Sequence, residues 1–490
     1  MENHQWITKY AEQKRRYLKL KNRYFNLLGS GVDRQEITIR VLEFNIENGG
    51  TVISFDKVVE AIIAAKPDIV AIEEAWGNLP KLAKRIGFPY YDVRTQVISR
   101  FPIIDPSDAN GRYVFIEVLS NLVIAVSNVH LPSELYGPVV LHHHATFKRL
   151  STIENELRMH ALEDELEVLP GLVKADIPVF LVGDFNDPSY LDCKKGEVDC
   201  FPWPISKKLA RMGFRDSYRE FYPDPNINPG FTWWANRPKV SGWNPSHFER
   251  QDRIDFIYAA GPSKVLRSTV IGEVLNKDVS IAITPWPSDH RAVLSEFSVI
   301  PAKMPEFISV NRRVIELGDK IEIRYNVPDK SAKQVAIKSV DNDEFIFRKN
   351  SDGGDNKVSV KMAKSIGSFE AVLIGSNGKI KKQTPFFVKP KNGKIMLTTD
   401  KKTYKQGEPI IVKWLYAPGN RFDWIVIRNI NDEINEDNVM GHHTDAQIKG
   451  STSFEKNNVR KWPLALGKYQ VLYMINDSFN IMAKSGFSIT

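Results

Sequence analysis

The second part of the chain repeats itself. Gly318-Asp-Lys-Ile-Glu-Ile-Arg-Tyr325 matches Gly407-Glu-Pro-Ile-Ile-Val-Lys-Trp414, with Pro328 and Pro418 following. Gly367-Ser-Phe-Glu-Ala-Val-Leu373 matches Gly467-Lys-Tyr-Gln-Val-Leu-Tyr473. Each copy spans about 90 residues, enough for a two-sheet core of its own. Beyond about Val299, alternating apolar runs and Gly/Asn/Asp turns dominate, with almost no helical pattern. The expectation is two all-β sandwich domains, 306–390 and 394–490, reached through a linker at Pro301-Ala-Lys-Met-Pro305. Trp414 and Trp424 are expected in the core of the second. Neither repeat holds a constellation suited to catalysis, so both read as targeting or spacer modules.

Upstream the pattern is mixed. Ile37, Ile39 and Val41 alternate with Thr38 and Arg40, and Phe55 to Ala65 has helical spacing and stops before Pro67. Ile69–Ile72, Leu122–Val126 and Val179–Val182 are continuous apolar runs, and Arg253–Tyr258 and Val293–Val299 complete the strands. A long helical stretch runs from about Ala145 to Val168. This is an α/β region, expected over 36–300. Residues 1–35 form a basic segment whose stretch 6–28 reads as an amphipathic helix, packed on the α/β domain or binding a membrane surface or partner.

Charge divides along the same lines. Residues 301–490 hold 31 Lys and Arg against 21 Asp and Glu, and residues 41–300 hold 27 against 34. The acidic α/β region weakens a basic-groove nucleic-acid reading, and the basic repeats favour an anionic surface, with carbohydrate or membrane contact as related options. No apolar run approaches the ~18 residues of a membrane span, and no signal peptide is recognisable. A secreted or cell-surface location is slightly favoured over the cytoplasm. Cys193 and Cys200 either close a small loop disulfide or remain free thiols. The sequence carries no signal for an oligomeric state.

Acidic, amide and imidazole residues recur where the strands end: Asn45, Glu73-Glu74, Asn128 and His130, Gly183-Asp184-Phe185-Asn186, Asp255, and Ser288-Asp289-His290. Strand ends in layered α/β folds are where loops gather into a site. Carboxylates with Asn suit Mg²⁺, Mn²⁺ or Ca²⁺, and the histidines suit phosphate oxygens or proton transfer.

In this order the residues resemble the endonuclease/exonuclease/phosphatase superfamily, over about Ile37 to Ile300. The motifs are Phe44-Asn-Ile46, Pro67-Asp-Ile-Val-Ala-Ile-Glu-Glu74, Ile98-Ser-Arg-Phe-Pro102, Asn128-Val-His-Leu131, Gly183-Asp-Phe-Asn186, Arg253-Ile-Asp-Phe-Ile257 and Ser288-Asp-His290. Glu73 stands where Gln commonly precedes the metal-binding Glu. The resemblance implies a four-layered α/β sandwich, two packed mixed sheets flanked by helices, and the repeats behind it are of immunoglobulin-like size.

It also implies roles. Glu74 would be the principal ligand of Mg²⁺, or of Mn²⁺ or Ca²⁺, with Asn45 and Asp289 holding the same ion. Asp184 would orient or deprotonate the attacking water, and Asn186 would contact the phosphate. His290 would face the scissile phosphate, oriented by Asp255, with His130 on another phosphate oxygen. Whether His290 or Asp184 is the base stays open. The implied activity is metal-dependent hydrolysis of a phosphodiester or phosphomonoester, leaning to a lipid headgroup or other non-nucleic phosphate. A nuclease on DNA or RNA is the alternative, and an inactive binding module a further one. The Trp and Arg that flank Gly-Asp-x-Asn in phosphoinositide phosphatases are absent.

Other features stay ambiguous. His142-His143-His144 is a metal-ligand cluster or a solvated helix start. Trp233, Trp234 and Trp243 anchor a loop or cage a choline-like cation. Tyr136-Gly-Pro138 and Asp216-Ser-Tyr-Arg219 read as loop and structural elements near the site.

Overall fold

A computed structural model describes residues 35–193, 200–238, 251–274, 278–328, 332–351, 353–434, 440–456 and 462–490. The expected amphipathic helix at 6–28 and Trp243 lie outside the described residues. Six strands hold or adjoin the candidate site residues: β1 Ile37–Asn45, β2 Ile69–Glu73, β3 Leu122–His130, β4 Val179–Asp184, β5 Asp255–Ala260 and β6 Ala292–Val299. They divide between two seven-stranded sheets. In one, β1 runs antiparallel to β6 and parallel to β2, with Asn45 opposite Glu73. In the other, β3 is parallel to β4 and β5 antiparallel to it.

The apolar faces explain why these strands stack. Ile39, Val41, Ile69 and Ala71 of the first sheet meet Ile124, Val126, Phe180, Val182 and Ile257 of the second in one buried cluster. The outer face of the first sheet is covered by helix Phe55–Ala65, through Val58 and Ile62, and by helix Leu79–Ile86 through Leu82. Leu169 of helix Glu163–Lys174 and Leu209 of helix Pro204–Arg211 cover the second. The result is the expected four layers, helix, sheet, sheet, helix. Helix Phe55–Ala65 starts where the Ser54 hydroxyl accepts from the Lys57 amide at 3.4 Å and stops at left-handed Lys66, ahead of Pro67.

The repeats fold alike. In the first, a three-stranded sheet (Phe307–Val310, Lys320–Val327, Gly354–Lys361) faces a five-stranded one (Val314–Glu316, Ile380–Lys389, Gly367–Gly375, Ala332–Ser339, Phe345–Asn350). The second has the same order: Met396–Thr399, Ile410–Leu415, Lys449–Phe454, then Thr403–Tyr404, Ile481–Ile489, Gly467–Met474, Trp424–Asn429, Met440–His443. The matched sequence segments are the central strands of both sheets: in the three-stranded sheets they alternate, with Ile321 and Ile323 or Ile410, Val412 and Trp414 turned into the core, and in the five-stranded sheets their second halves are buried throughout. Both repeats are immunoglobulin-like sandwiches.

Several expectations change. The linker is not free, because Ala302 and Lys303 pair with Val123 and Leu122 at the start of β3. Trp414 lies in the second sandwich's core, but Trp424 does not. Its ring is on the opposite face, with Val426, Leu472, Met474 and Phe479. That face turns toward the catalytic domain. Cys193 and Cys200 are joined in a disulfide. Among the described residues no helix is long and apolar enough to cross a membrane.

Candidate active site

Strand register builds the first half of the site. His130 lies opposite Asp184 across β3 and β4, and Asp255 lies opposite Asp184 across β5 and β4. Three functional side chains therefore stand in one row. Gly183 makes the row possible: at φ 136° it pairs with Val129, and a Cβ there would sit 1.9 Å from the Val129 carbonyl oxygen. Any other residue would push β3 from β4.

His290 completes this half. Its Nδ1 lies 3.0 Å and 3.1 Å from the two Asp255 oxygens, and its Nε2 is 3.7 Å from Asp184 Oδ2. The segment before β6 is fixed to β1, because the Ser288 hydroxyl donates to the Asn45 carbonyl (2.7 Å) and accepts from the His290 amide (3.0 Å). Trp286 Nε1 donates to the His290 carbonyl at 2.6 Å. The Thr232 hydroxyl accepts from the amides of Ile254 and Asp255. His130 Nε2 is also 3.7 Å from Asp184 Oδ2, so two imidazoles flank one carboxylate oxygen.

The second half comes from the other sheet. Asn45 Nδ2 donates to Glu74 Oε1 at 3.1 Å and to Asp184 Oδ2 at 3.2 Å, joining the halves. Glu74 Oε2 accepts from the Asn48 amide at 2.7 Å, which anchors a residue held at φ 56°. A non-glycine residue in that region costs on the order of 1–3 kcal/mol and persists only where its surroundings fix it. Asn186, at φ 47°, is fixed likewise: its amide donates to Asp184 Oδ1 (2.9 Å) and its Nδ2 to the Leu131 carbonyl (2.9 Å). The Asp289 amide donates to Glu47 Oε2 at 3.1 Å, so Glu47, Glu74 and Asp289 form one carboxylate group balanced by Arg237, 2.6 Å from Glu47.

Burial and neighbours set the protonation states. Burial and the Asp289 charge push Glu47 up to about 8, against the pull of Arg237. Burial and Asp255 raise Asp184 to about 6, with both histidines opposing. Burial works against charge on His290, but Asp255, Asp184 and Asp289 hold its pKa well above the usual imidazole range. Near neutral pH the row is an ionised Asp184 between two imidazolium rings. Behind it, burial holds Glu43 well above the ordinary carboxyl range and pushes Glu73 up to about 8. Burial thus favours the neutral acid at Glu73, the form that matches the uncharged Gln common at this place.

Two groups can be compared as cation holders. Ligand atoms of Asp184, Asp255 and His290 lie within 4.8 Å of one another, but His290 Nδ1 is already tied to Asp255. Glu47, Glu74 and Asp289 offer oxygen donors, the type a hard divalent cation prefers, but Glu47 is tied to Arg237, and among the described residues it is the first group whose ligand atoms converge within that distance.

The remaining expected features fall around this centre. Asn128 and His130 lie inside β3 rather than after it. His142 to His144 are exposed and close helix Gly137–His142 instead of opening one. Trp233 packs between Tyr136 (centroids 5.3 Å) and His290 (6.4 Å), bordering the His130–Asp184–Asp255 row. Tyr136 donates to Asp252 at 2.9 Å. Asp216 and Asp192 bind the buried Arg253 at 2.7 Å each, and Arg219 joins Asp192, so Asp216-Ser-Tyr-Arg219 braces the β5 loop.

Residues 42–290 match the Endonuclease/Exonuclease/phosphatase family. The chain belongs to that family. A relative, an uncharacterized protein of Caenorhabditis elegans, is 30% identical over 290 residues, covering 54% of this chain and 92% of that protein. Among solved structures, a family protein from Bacteroides thetaiotaomicron aligns at 15% identity and TM-score 0.33, covering 54% of this chain and 99% of its own. A mannosyl-6-phosphatase from the same organism aligns at 16% identity and TM-score 0.32, covering 53% and 99%. As a family member the chain is a phosphoric ester hydrolase.

Proposed function

We propose that this family member is a divalent-metal-dependent phosphoesterase acting on a small non-nucleic phosphate ester, such as a lipid headgroup or sugar-like phosphate. The observation that carries the reading is the meeting, at one mouth, of the imidazole–carboxylate row with the Asn45, Glu74 and Asp289 group. In-line hydrolysis needs an oriented water, charge neutralisation on the non-bridging oxygens and help for the leaving oxygen. Asp184, ionised at neutral pH, orients and deprotonates the water. His290, aimed by Asp255, and His130 donate to phosphate oxygens, with Asn186 beside them. Glu74, Asp289 and Asn45, joined by Glu47, would hold Mg²⁺ or Mn²⁺, which supplies positive charge opposite the phosphate.

Two features support a non-nucleic substrate. The α/β region carries more acid than base, which repels a polyanion. A loop of the second sandwich also places the carboxylate of Asp477 3.5 Å from His130, adding a further negative charge beside the site. The test is hydrolysis of bis-p-nitrophenyl phosphate, p-nitrophenyl phosphate, sugar phosphates, sphingomyelin, plasmid DNA and RNA, each with Mg²⁺, Mn²⁺ or EDTA. Metal-dependent turnover ranking small esters above nucleic acid is expected. Preference for plasmid or RNA would replace the substrate reading with a nuclease.

A further inference from the structure

The second sandwich reaches His130 directly. Asp477 Oδ2 lies 3.5 Å from His130 Nδ1, and Asp477 Oδ1 lies 3.0 Å from His443 Nε2. The arrangement parallels the one at His290, with a longer contact to the carboxylate, 3.5 Å against 3.0 Å. Each active-site imidazole has Nδ1 against a carboxylate and Nε2 at 3.7 Å from the same oxygen of Asp184. For His290 that carboxylate is Asp255 of the α/β domain. For His130 it comes from the turn between Gly467–Met474 and Ile481–Ile489.

That turn is built to hold one shape. Asn476 and Asp477 take φ 52° and 54°. The Asp477 amide donates to the Phe422 carbonyl at 2.8 Å, and the Asn476 amide to buried Asp423 at 3.3 Å. Trp424 Nε1 donates to the Ser478 carbonyl at 3.0 Å.

The turn is also locked to the catalytic domain. Phe479 meets Trp76 edge-on at 5.8 Å, and Asn480 Nδ2 donates to the Trp76 carbonyl at 3.1 Å. Arg421 pairs with buried Glu165 at 2.7 Å and donates to the Asn128 carbonyl, two residues before His130. Arg94 Nε donates to the Gly419 carbonyl at 2.8 Å.

We propose that Asp477 is a positioning residue for His130, so that the second sandwich completes the active site rather than acting as a spacer. The proposal rests on the reading of His130 as a phosphate-facing group. A carboxylate on Nδ1 fixes the ring plane and turns Nε2–H toward Asp184 and the substrate. Electrostatics agree: burial opposes charge on His130, yet Asp477 and Asp184 lift it to about 10, while His130 and His443 hold Asp477 down to about 2 despite its burial.

The test is a double-mutant cycle in the full chain, with His130→Ala, Asp477→Ala and the combination, and with Asp477→Asn as the variant that preserves the turn. Thermal unfolding reports whether each protein is folded. On the best ester of the panel, Asp477→Ala is expected to lower kcat by about 10–100-fold. KM should stay within about threefold. Asp477→Asn should retain part of the activity. In the His130→Ala background, Asp477→Ala should cost nothing further. Unchanged kcat, or the same loss in both backgrounds, would overturn the proposal. If the wild-type protein hydrolyses no ester, the functional reading fails separately. Calorimetric binding of inorganic phosphate to the same four proteins then decides. Binding weakened by Asp477→Ala only when His130 is present supports positioning, and equal binding, or none by the wild type, overturns it.

Discussion

The two sandwiches share strand order, yet the turn after the matched central strand does different things in each. In the first repeat it is Gly375-Ser-Asn-Gly-Lys379, exposed from Ser376 onward and closed on itself: the Gly378 amide donates to the Gly375 carbonyl at 3.0 Å, and the Lys379 amide to Asn377 Oδ1 at 3.0 Å. In the second it is Ile475-Asn-Asp-Ser-Phe-Asn480, seated against His130 and Trp76. The first repeat braces the catalytic domain from elsewhere, through Arg313 to Asp105 at 2.8 Å and Arg324 to Glu117 at 2.7 Å. One scaffold thus serves as a brace in one copy and as a wall of the site in the other, and loop residues decide which.

That contrast can be broken at several scales. The largest effect belongs to the histidine whose carboxylate lies within the α/β domain. Asp255→Asn should lower kcat on the order of 10³–10⁴-fold, the size of loss when a working histidine loses its orienting carboxylate. Steady-state kinetics will show whether His290 depends on its partner more than His130 does. Next, replacing residues 475–480 with the first repeat's turn should match Asp477→Ala, a loss of about 10–100-fold in kcat. Asn377→Ala in the first repeat should leave turnover unchanged. Equal effects from both turns would mean that the two copies do not differ in function.

Stability should follow the same asymmetry. Arg421→Ala removes the closer of the two arginines that face buried Glu165, leaving Arg112 at 4.0 Å, and should cost about 3 kcal/mol in denaturant unfolding. Arg324→Ala, at a more solvated pair, should cost about 1 kcal/mol. The smallest effect is in pH. Asp477 is depressed to about 2 from 3.8, so its contribution is present above 3.8 and is lost as pH falls toward 2. His130 is raised to about 10 from 6.5, so its contribution is full below 6.5 and is lost as pH rises toward 10. The Tm difference between wild type and Asp477→Asn should therefore be greatest between about pH 4 and 6.5. A difference that grows toward pH 10 would contradict the ion pair.

How much was legible in the sequence depended on where the relevant neighbours lay. Alternation located β1 and continuous apolar runs located β2 and β4, because strands buried on one or both faces are largely apolar there, and the polar residues at their ends pointed to one mouth. The strand β3 runs further than its apolar run. Ser127 and Asn128 are fully buried, donating to the carbonyls of Arg112 (2.6 Å) and Ile72 (3.1 Å), so their polarity hid a strand that continues through His130. Trp424 was misplaced because Trp424–Asn429 is covered on both faces, and alternation cannot tell core from interface there. Glu47 was within reach, two residues past Asn45 and directly after the Phe44-Asn-Ile46 motif. Asp477 was not, because nothing local in its turn signals a partner on the other side of the molecule.

The central claim is that the Asp184 row and the Glu74 group form one metal-dependent phosphoesterase site. Its most direct test is the turnover of p-nitrophenyl phosphate and bis-p-nitrophenyl phosphate by the full chain, with Mg²⁺ or EDTA, for wild type and for folded Asp184→Ala. Turnover that requires Mg²⁺ and disappears in the variant is the predicted result. Turnover that survives EDTA, or survives the loss of Asp184, would contradict it.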